Sequence, residues 1–460
     1  MRRAALLCGV ALLAASQAAP AADLLEAWRA AQQNDLEFVA AQSARRAGEA
    51  RRAQSVSVWR PSLLLTGTVG KANNETTTTG AQFSAPGFGS ADGASFDTSI
   101  NNGNLTRWAL EARQPLLSRE RDARKRQLEL AADVADLEWQ VAQQSLMLRT
   151  ATRYFDALLA GESLRVLRRQ QAAVERAHAE VRDRFRLGDV PVTDTHEAAA
   201  RVEAIRAQVL AAETDLQLKQ AALTDATGLP AAELNGLAPG GDSVTLELPP
   251  LAQWLAEAKA GNLQLRAQAA GTEVAQQEAA KFGALAAPTL DLVAQVGQDR
   301  LSGSGDFGPA SNGLNNAMIG VQLTVPLYTG GYRSARQDEA LRLAEKAATD
   351  GDRTAQQVAL QTRAAWLGLT VGAARVGALA ESLKATLSRL DATRVGRQAG
   401  DRTTLDLLNA ENDAAAAELA LLQARVSLLL DRLRLAALAG RLDEAQLQSV
   451  NASLQMQAIR

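Results

Sequence analysis

Hydrophobic and polar residues alternate in four short stretches of the chain, each beside a proline. In the first stretch, Leu63 and Leu65 fall on one side, and Thr66 and Thr68 on the other. Alternation with a period of two is typical of β-strands that bury one face. Each stretch has about nine residues, which is long enough to cross a membrane at a tilt. The pattern predicts strands at residues 62–70, 105–114, 289–297 and 317–325.

The segments between paired strands have a different composition. Residues 72–104 and 299–315 are rich in Gly, Ser, Thr and Asn, which bury little apolar surface. Both segments are therefore predicted to be exposed loops. On the strand pattern alone, two interpretations stay open: membrane-crossing strands, or soluble hairpins covered on one face by helices.

Long segments free of proline predict helices. The first helix is expected from about Leu24 to Trp59, and residues 118–187 predict one continuous helix of roughly 105 Å. A helix of that length must stand in water. The return helix, which ends at Gly228, has apolar residues at alternating spacings of three and four, as in a coiled coil. This seam contains Val202, Ile205, Val209, Ala212 and Leu216.

The chain contains an internal repeat. The same number of residues separates Gly188 from Gly400, Asp194 from Asp406 and Gly228 from Gly440. A repeat of this length predicts a duplicated structural unit. The predicted organisation is a first repeat at 22–240 with a hairpin turn at 188–191, a second repeat at 241–445 with a turn at 400–402, and a C-terminal tail at 446–460.

The first residues predict export. Arg2 and Arg3 precede an apolar stretch, and Ala19-Pro20-Ala21 fits a signal-peptidase site, so residues 1–21 are interpreted as a signal peptide. The only cysteine, Cys8, lies within it. Net charge is −2 with both signs interspersed, which argues against a nucleic-acid partner.

The sequence predicts no enzyme. His178 and His196 are the only histidines, and neither has neighbours at the spacing of a catalytic triad or a metal site. No catalytic residue, metal ligand or cofactor is therefore assigned. A periplasmic hydrolase or binding protein would require a convergent polar site, which the chain lacks.

One polar constellation lies at the second turn. Arg402, Asp406, Asn409 and Asp413 are spaced by four, three and four residues, which predicts one helical face. Two interpretations of Asp406 stay open: a carboxylate that complements the helix dipole, or a functional group.

An ordered set of motifs resembles the TolC family of outer-membrane efflux and secretion channels. The motifs are the strand after Pro61, Gln114-Pro-Leu-Leu, Val325-Pro-Leu-Tyr-Thr-Gly-Gly331, Phe185-Arg-Leu-Gly-Asp with Thr193-Asp194, and Gly400-Asp-Arg-Thr-Thr-Leu-Asp-Leu-Leu-Asn409. The resemblance covers essentially the whole mature chain. It implies a mainly α fold with β structure: a homotrimer in which each protomer gives four strands to one outer-membrane β-barrel, continuous with a long periplasmic α-helical coiled-coil barrel.

The resemblance also implies roles for the turn residues. Asp406 and Asn409 match two inward-facing acidic positions that ring the pore entrance, with Asp413 on the same face. Asn409 is neutral where the best-known member has a carboxylate, so the ring is expected to carry fewer charges.

Closure of the entrance is expected to involve both halves. Arg402 matches an arginine that helps to hold the entrance shut, and Thr193 and Asp194 match its partners. Arg397 stands where the best-known member has a tyrosine, so an Arg397–Asp194 ion pair is a possible closing contact.

The predicted function is an outer-membrane exit duct for small molecules or unfolded proteins. Its expected partners are a periplasmic adaptor (membrane fusion protein), an inner-membrane ABC or RND pump, and outer-membrane lipid. The adaptor is expected to dock on the turns, at Leu187, Gly188 and Asp189 and at Ala399, Gly400 and Asp401. The alternative is a soluble periplasmic coiled-coil adaptor or scaffold, which the helical hairpins alone would fit.

Overall fold

The computed structural model describes residues 23–87, 89–231, 234–237, 248–306 and 308–455. The predicted signal peptide lies outside the described residues. The helices are α1 (Leu24–Asn34), α2 (Leu36–Ser57), α3 (Arg119–Leu187), α4 (Val192–Thr227), α5 (Leu251–Gly261), α6 (Leu263–Ala284), α7 (Tyr332–Ala399), α8 (Thr404–Leu438) and α9 (Glu444–Asn451). The strands are β1 (Ser62–Ala85), β2 (Gly89–Leu117), β3 (Gly236–Leu237), β4 (Thr289–Gly305), β5 (Gly308–Thr324) and β6 (Leu454–Gln455).

The element order repeats along the chain. Two helices, two long strands, a very long helix and a return helix occur in that order in each half. The long helices α3 and α7 contain 69 and 68 residues, and the return helices α4 and α8 contain 36 and 35. These matched lengths agree with an internal duplication.

The chain forms two compact units, and each draws on both halves of the sequence. A helical unit contains Met1–Arg46, Ala135–Gln268 and Gly351–Arg460, and a sheet unit contains Ala47–Val134 and Ala269–Asp350. The compact units therefore cut across the predicted repeats.

The main core of the helical unit joins α1, α3, α8 and α9. Tyr154 and Phe155 are fully buried on α3, with Leu24 from α1 and Leu433 from α8 beside them in one cluster. The Tyr154 hydroxyl donates to the Asn235 carbonyl at 2.9 Å. Burial raises the pKa of Tyr154 above its usual range, so the phenol keeps its proton and can donate this hydrogen bond even in alkaline solution.

The predicted helix from Leu24 to Trp59 is wrong, because it is broken at Asp35. The Asp35 carboxylate accepts from the Phe38 amide at 2.9 Å and pairs with Arg149 at 2.7 Å. Asp35 is thus an N-terminal cap of α2 that also anchors to α3. Asn262 plays the same capping part in the second half, since its side-chain oxygen accepts from the Leu265 amide at 3.0 Å.

Two further predictions about helices can be compared with the structure. Val202, Ile205 and Val209 of the predicted seam are buried. The predicted C-terminal tail instead contains most of α9, whose Leu447 and Val450 are fully buried in the main core. Apolar side chains three residues apart on a short helix account for this packing.

The sheet unit holds a four-stranded antiparallel sheet in the order β1-β2-β4-β5. Its central pair joins the two halves of the chain, because Leu110 of β2 lies opposite Val296 of β4. One face carries ion-paired side chains beside buried Val293 and Leu301, and Arg107 pairs there with Asp299 at 2.8 Å. The other face carries exposed apolar side chains, among them Trp108 and Val296. The observed faces match the alternation of the sequence.

The two predicted loops are wrong. Residues 72–104 belong almost entirely to β1 and β2, and residues 299–315 to β4 and β5. The strands contain 24, 29, 17 and 17 residues, well beyond the predicted bounds. Antiparallel strands pair through backbone hydrogen bonds. Once the apolar centres of the strands have fixed the register, a hairpin with few apolar side chains can therefore extend the sheet.

Candidate functional site

The first helical hairpin turns at Gly188, after α3. Gly188 has φ +82°, its amide donates to the Phe185 carbonyl at 3.0 Å, and the Asp189 amide donates to the Arg184 carbonyl at 2.9 Å. This pair of bonds is a Schellman motif, in which glycine takes the left-handed backbone conformation. Leu187 beside it is 78% exposed.

The second helical hairpin turns at Gly400 by the same motif. Gly400 has φ +84° and donates to the Arg397 carbonyl at 3.1 Å, while the Asp401 amide donates to the Gly396 carbonyl at 2.9 Å. A Cβ atom at Gly188 or at Gly400 would meet nothing within 4 Å. Both turns are therefore open at the glycine.

The return helix α8 begins with a capping box. Thr403 Oγ1 accepts from the Asp406 amide at 3.1 Å, and the Asp406 carboxylate accepts from the Thr403 amide at 2.9 Å. The Thr403 hydroxyl also donates to the Asp406 carboxylate, at 2.9 Å. Donation by the Thr403 amide and hydroxyl, with a smaller contribution from the Arg402 charge, lowers the pKa of Asp406. The carboxylate therefore holds the start of the helix.

The return helix α4 begins without such a box. Pro191 occupies the N-cap position and makes no side-chain capping bond. The Asp194 carboxylate accepts only from the Thr193 hydroxyl, at 3.4 Å, among the residues that the structure describes. Equivalent acids in the two halves therefore have different surroundings.

Arg402 does not lie on the predicted helical face. Because Thr403 caps α8, the helix starts at Thr404 and Arg402 belongs to the turn. A Cβ atom on Gly396 would lie 2.9 Å from Arg402 Cγ, so the arginine stem packs against α7. Asp406, Asn409 and Asp413 keep the spacing of one face.

Three contacts of the predicted site residues involve partners that the sequence did not indicate. Asn409 Oδ1 accepts from Arg201 at 3.2 Å, and Asp413 pairs with Arg389. Arg397 pairs with Glu180 at 2.5 Å instead of Asp194. The spacing Thr403-x-x-Asp406 is a recognisable capping signature, but these three pairs depend on how the helices pack.

A cleft of about 400 Å³ lies between the two turns of the helical unit. Its charged lining residues are Arg184, Arg201, Arg402, Asp194, Glu197 and Asp401. The structure thus brings Gly400, Asp401 and Arg402 together with Asp194. The other predicted site residues do not line the cleft: Thr193, Arg397, Asp406, Asn409, Asp413, Leu187, Gly188, Asp189 and Ala399. Arginines and carboxylates in equal number can form and exchange ion pairs.

Within the described residues, no group of three or more His, Cys, Asp or Glu side chains could hold a metal ion. None of the described helices is both long and apolar enough to cross a membrane.

Solved structures with the same fold include proteins described as outer-membrane channels. The outer membrane protein VceC of Vibrio cholerae aligns with a TM-score of 0.70 at 17% identity, over 91% of this chain and 96% of that one. The chain therefore shares the fold class of these proteins, in which long helical hairpins accompany a four-stranded antiparallel sheet.

The sequence profile of the outer membrane efflux protein family matches residues 27–229 and 254–441, so the chain belongs to this family, as the motifs predicted. It is 27% identical to the outer membrane protein TolC of Escherichia coli K12 over 77% of this chain and 73% of that protein. It is 29% identical to the proteases secretion protein PrtF of Dickeya chrysanthemi over 99% of this chain and 96% of that protein. The family is one of outer-membrane transport channels and is not an enzyme family. The predicted outer-membrane location is confirmed, and the soluble-adaptor alternative is set aside.

Proposed function

We propose that this protein is the outer-membrane exit duct of a tripartite efflux or type I secretion system, and that it works as a homotrimer. The observation that carries the proposal is the open four-stranded sheet. Among the described residues, no strand pairs with the outer sides of the edge strands β1 and β5. Leu63, Val69, Ile319 and Leu323 on these strands are between 64% and 82% exposed. Unpaired edges are not tolerated in lipid. Pairing β5 of one copy with β1 of the next closes a shared barrel.

The transported cargo enters from the periplasmic side. An inner-membrane ABC or RND pump supplies the energy, and a periplasmic adaptor connects it to the duct. The relatives named for efflux and for protease secretion support small molecules or unfolded proteins as cargo. We assign no catalytic chemistry to the duct itself, so the pump must supply the work.

The turns of the two helical hairpins form the pore entrance and the docking surface. Asp406, Asn409 and Asp413 give a polar ring. Arg402 closes the entrance against Asp194 across the cleft, and Arg397 supports the closed arrangement through its ion pair with Glu180. The turns at Leu187–Asp189 and Ala399–Asp401 dock the adaptor. Their open glycines leave room for a helical tip of that partner.

Fractionation and paired strand variants test the proposal. We expect an outer-membrane trimer that resists detergent until heated. Leu110→Arg on the apolar face should cost roughly 2 to 4 kcal/mol near the middle of the membrane and reduce insertion, whereas Glu111→Arg on the polar face should mainly change conductance. A monomer in the aqueous periplasmic extract, or equal assembly of both variants, would contradict the proposal.

A further inference from the structure

A cavity of about 570 Å³ lies in the sheet unit, at the end of the sheet where β1 begins and β2 ends. Its walls come from the end of α2, the connection into β1 and the first turns of α3. Arg60, Arg121 and Arg124 line it, and among the residues that the structure describes Glu120 is the single acidic one in the lining. The cavity therefore carries an excess of positive charge, which favours an anion.

The arrangement of the arginines leaves their positive charge available to bind an anion. Arg121 Nη1 donates to the Val58 carbonyl at 2.8 Å, which fixes one guanidinium in the wall. Arg60 and Arg124 are exposed and form no ion pair within the described residues. Guanidinium groups match the oxygens of phosphate with paired hydrogen bonds. A phosphate group is the anion that this lining would recognise best.

Apolar side chains beside the cavity identify the kind of phosphate. Leu63 of β1 is 70% exposed, and Leu116 and Leu117 of β2 are 48% and 55% exposed. In a sheet that crosses the outer membrane, such side chains contact acyl chains, and basic pockets at the edge of the apolar zone bind lipid headgroups. We infer that the cavity binds the phosphate of a phospholipid headgroup, whose acyl chains lie along these leucines. This inference rests on the outer-membrane location and not on the proposed export.

A binding titration tests the assignment on the full-length protein, purified in detergent and stripped of lipid. The probe is dihexanoylphosphatidylglycerol, counted per chain by native mass spectrometry. Arg60→Gln with Arg124→Gln should weaken binding at least about tenfold, because two charge-assisted contacts are lost. The control is Arg46→Gln with Arg51→Gln, two exposed arginines of α2 outside the cavity, which should leave binding within about twofold.

Glu120→Gln provides a variant that should gain binding. Removing the single carboxylate should tighten binding about two- to fivefold, an effect that general destabilisation would not produce. It also tests the site if the arginine variant fails to assemble.

Three outcomes would overturn the inference. Lipid binding weakened equally by both pairs of arginine substitutions would show that the lipid does not bind in the cavity. Unchanged or weaker lipid binding in Glu120→Gln would show that the positive charge of the cavity does not hold the lipid. Inorganic phosphate that binds as tightly as the lipid would assign an anion site with no preference for lipid. Because the readout is lipid binding, export that fails with intact lipid binding would count against the proposed function alone.

Discussion

The turn between α3 and α4 and the turn between α7 and α8 end their first helices alike but start their return helices differently. Both place a glycine with φ near +80° in a Schellman motif. In the second turn Thr403 and Asp406 form a capping box. In the first turn Pro191 stands at the capping position and offers no such bond.

This difference separates two carboxylates that the repeat makes equivalent. Asp406 is bound to the backbone at the start of α8, and its charge sits at a fixed place. Asp194 lines the cleft with Arg402, and no described residue forms an ion pair with it. A duplicated position can thus serve as a fixed charge in one half and as an exchangeable ion-pair partner in the other.

Bulk at the turn glycines should have the largest effect. Gly188→Trp and Gly400→Trp should keep heat-modifiable trimers in the outer membrane while abolishing export and adaptor crosslinking, because the ring fills the open space at the turn. Gly188→Ala and Gly400→Ala are the controls: they share the backbone strain of about 1 to 2 kcal/mol without the bulk. Export at wild-type rates with intact crosslinks in the Trp variants would place docking elsewhere.

Removing each equivalent acid should produce different electrical changes. In planar bilayers, Asp406→Asn should weaken cation preference and block by multivalent cations several-fold, because a ring of like charges attracts cations. If Asp194 closes the entrance with Arg402 as proposed, Asp194→Asn should instead raise the open fraction and leave selectivity unchanged. Identical changes in both variants would show that the two acids do not differ in role.

Loss of the capping bond should act locally. Thr403→Ala should destabilise the start of α8 by about 0.5 to 2 kcal/mol, seen as faster hydrogen exchange of the Asp406 amide. Pro191→Ala, the matched change in the first turn, removes no side-chain capping bond and should leave exchange of the Asp194 amide nearly unchanged. Comparable acceleration in both turns would rule out the capping asymmetry.

The smallest expected effect is a pH dependence at α8. The folded-state pKa of Asp406 is below its usual value because Thr403 donates to the carboxylate. Its stabilising contribution is therefore complete above about pH 4 and is lost as the pH falls through the depressed value. Exchange of the amides at the start of α8, corrected for intrinsic rates, should show this loss, and Asp406→Asn should abolish it.

Local signals in the sequence were sufficient for the turns and for the centres of the strands. Gly188 and Gly400 could be predicted because a left-handed residue after a long helix favours glycine. The extensions of β1 and β2 could not be predicted, because their Thr, Ser and Gly residues give no alternation of apolar and polar positions. Backbone hydrogen bonds hold these extensions together. The partners of Asn409 and Arg397 could not be predicted either, because they are distant in sequence. Arg201 is 208 residues from Asn409, and Glu180 is 217 residues from Arg397.

The pairing of β2 with β4 has a consequence for how the sheet is assembled. Each outer pair is a local hairpin, closing between Ala85 and Gly89 and between Gly305 and Gly308. The central pair must close a far longer loop, since Arg107 and Asp299 are 192 residues apart. Loop-closure entropy therefore favours two hairpins that form early and a junction that forms last. A chain whose synthesis stops before β4 would carry β2 as an open edge, ready to pair with the wrong strand.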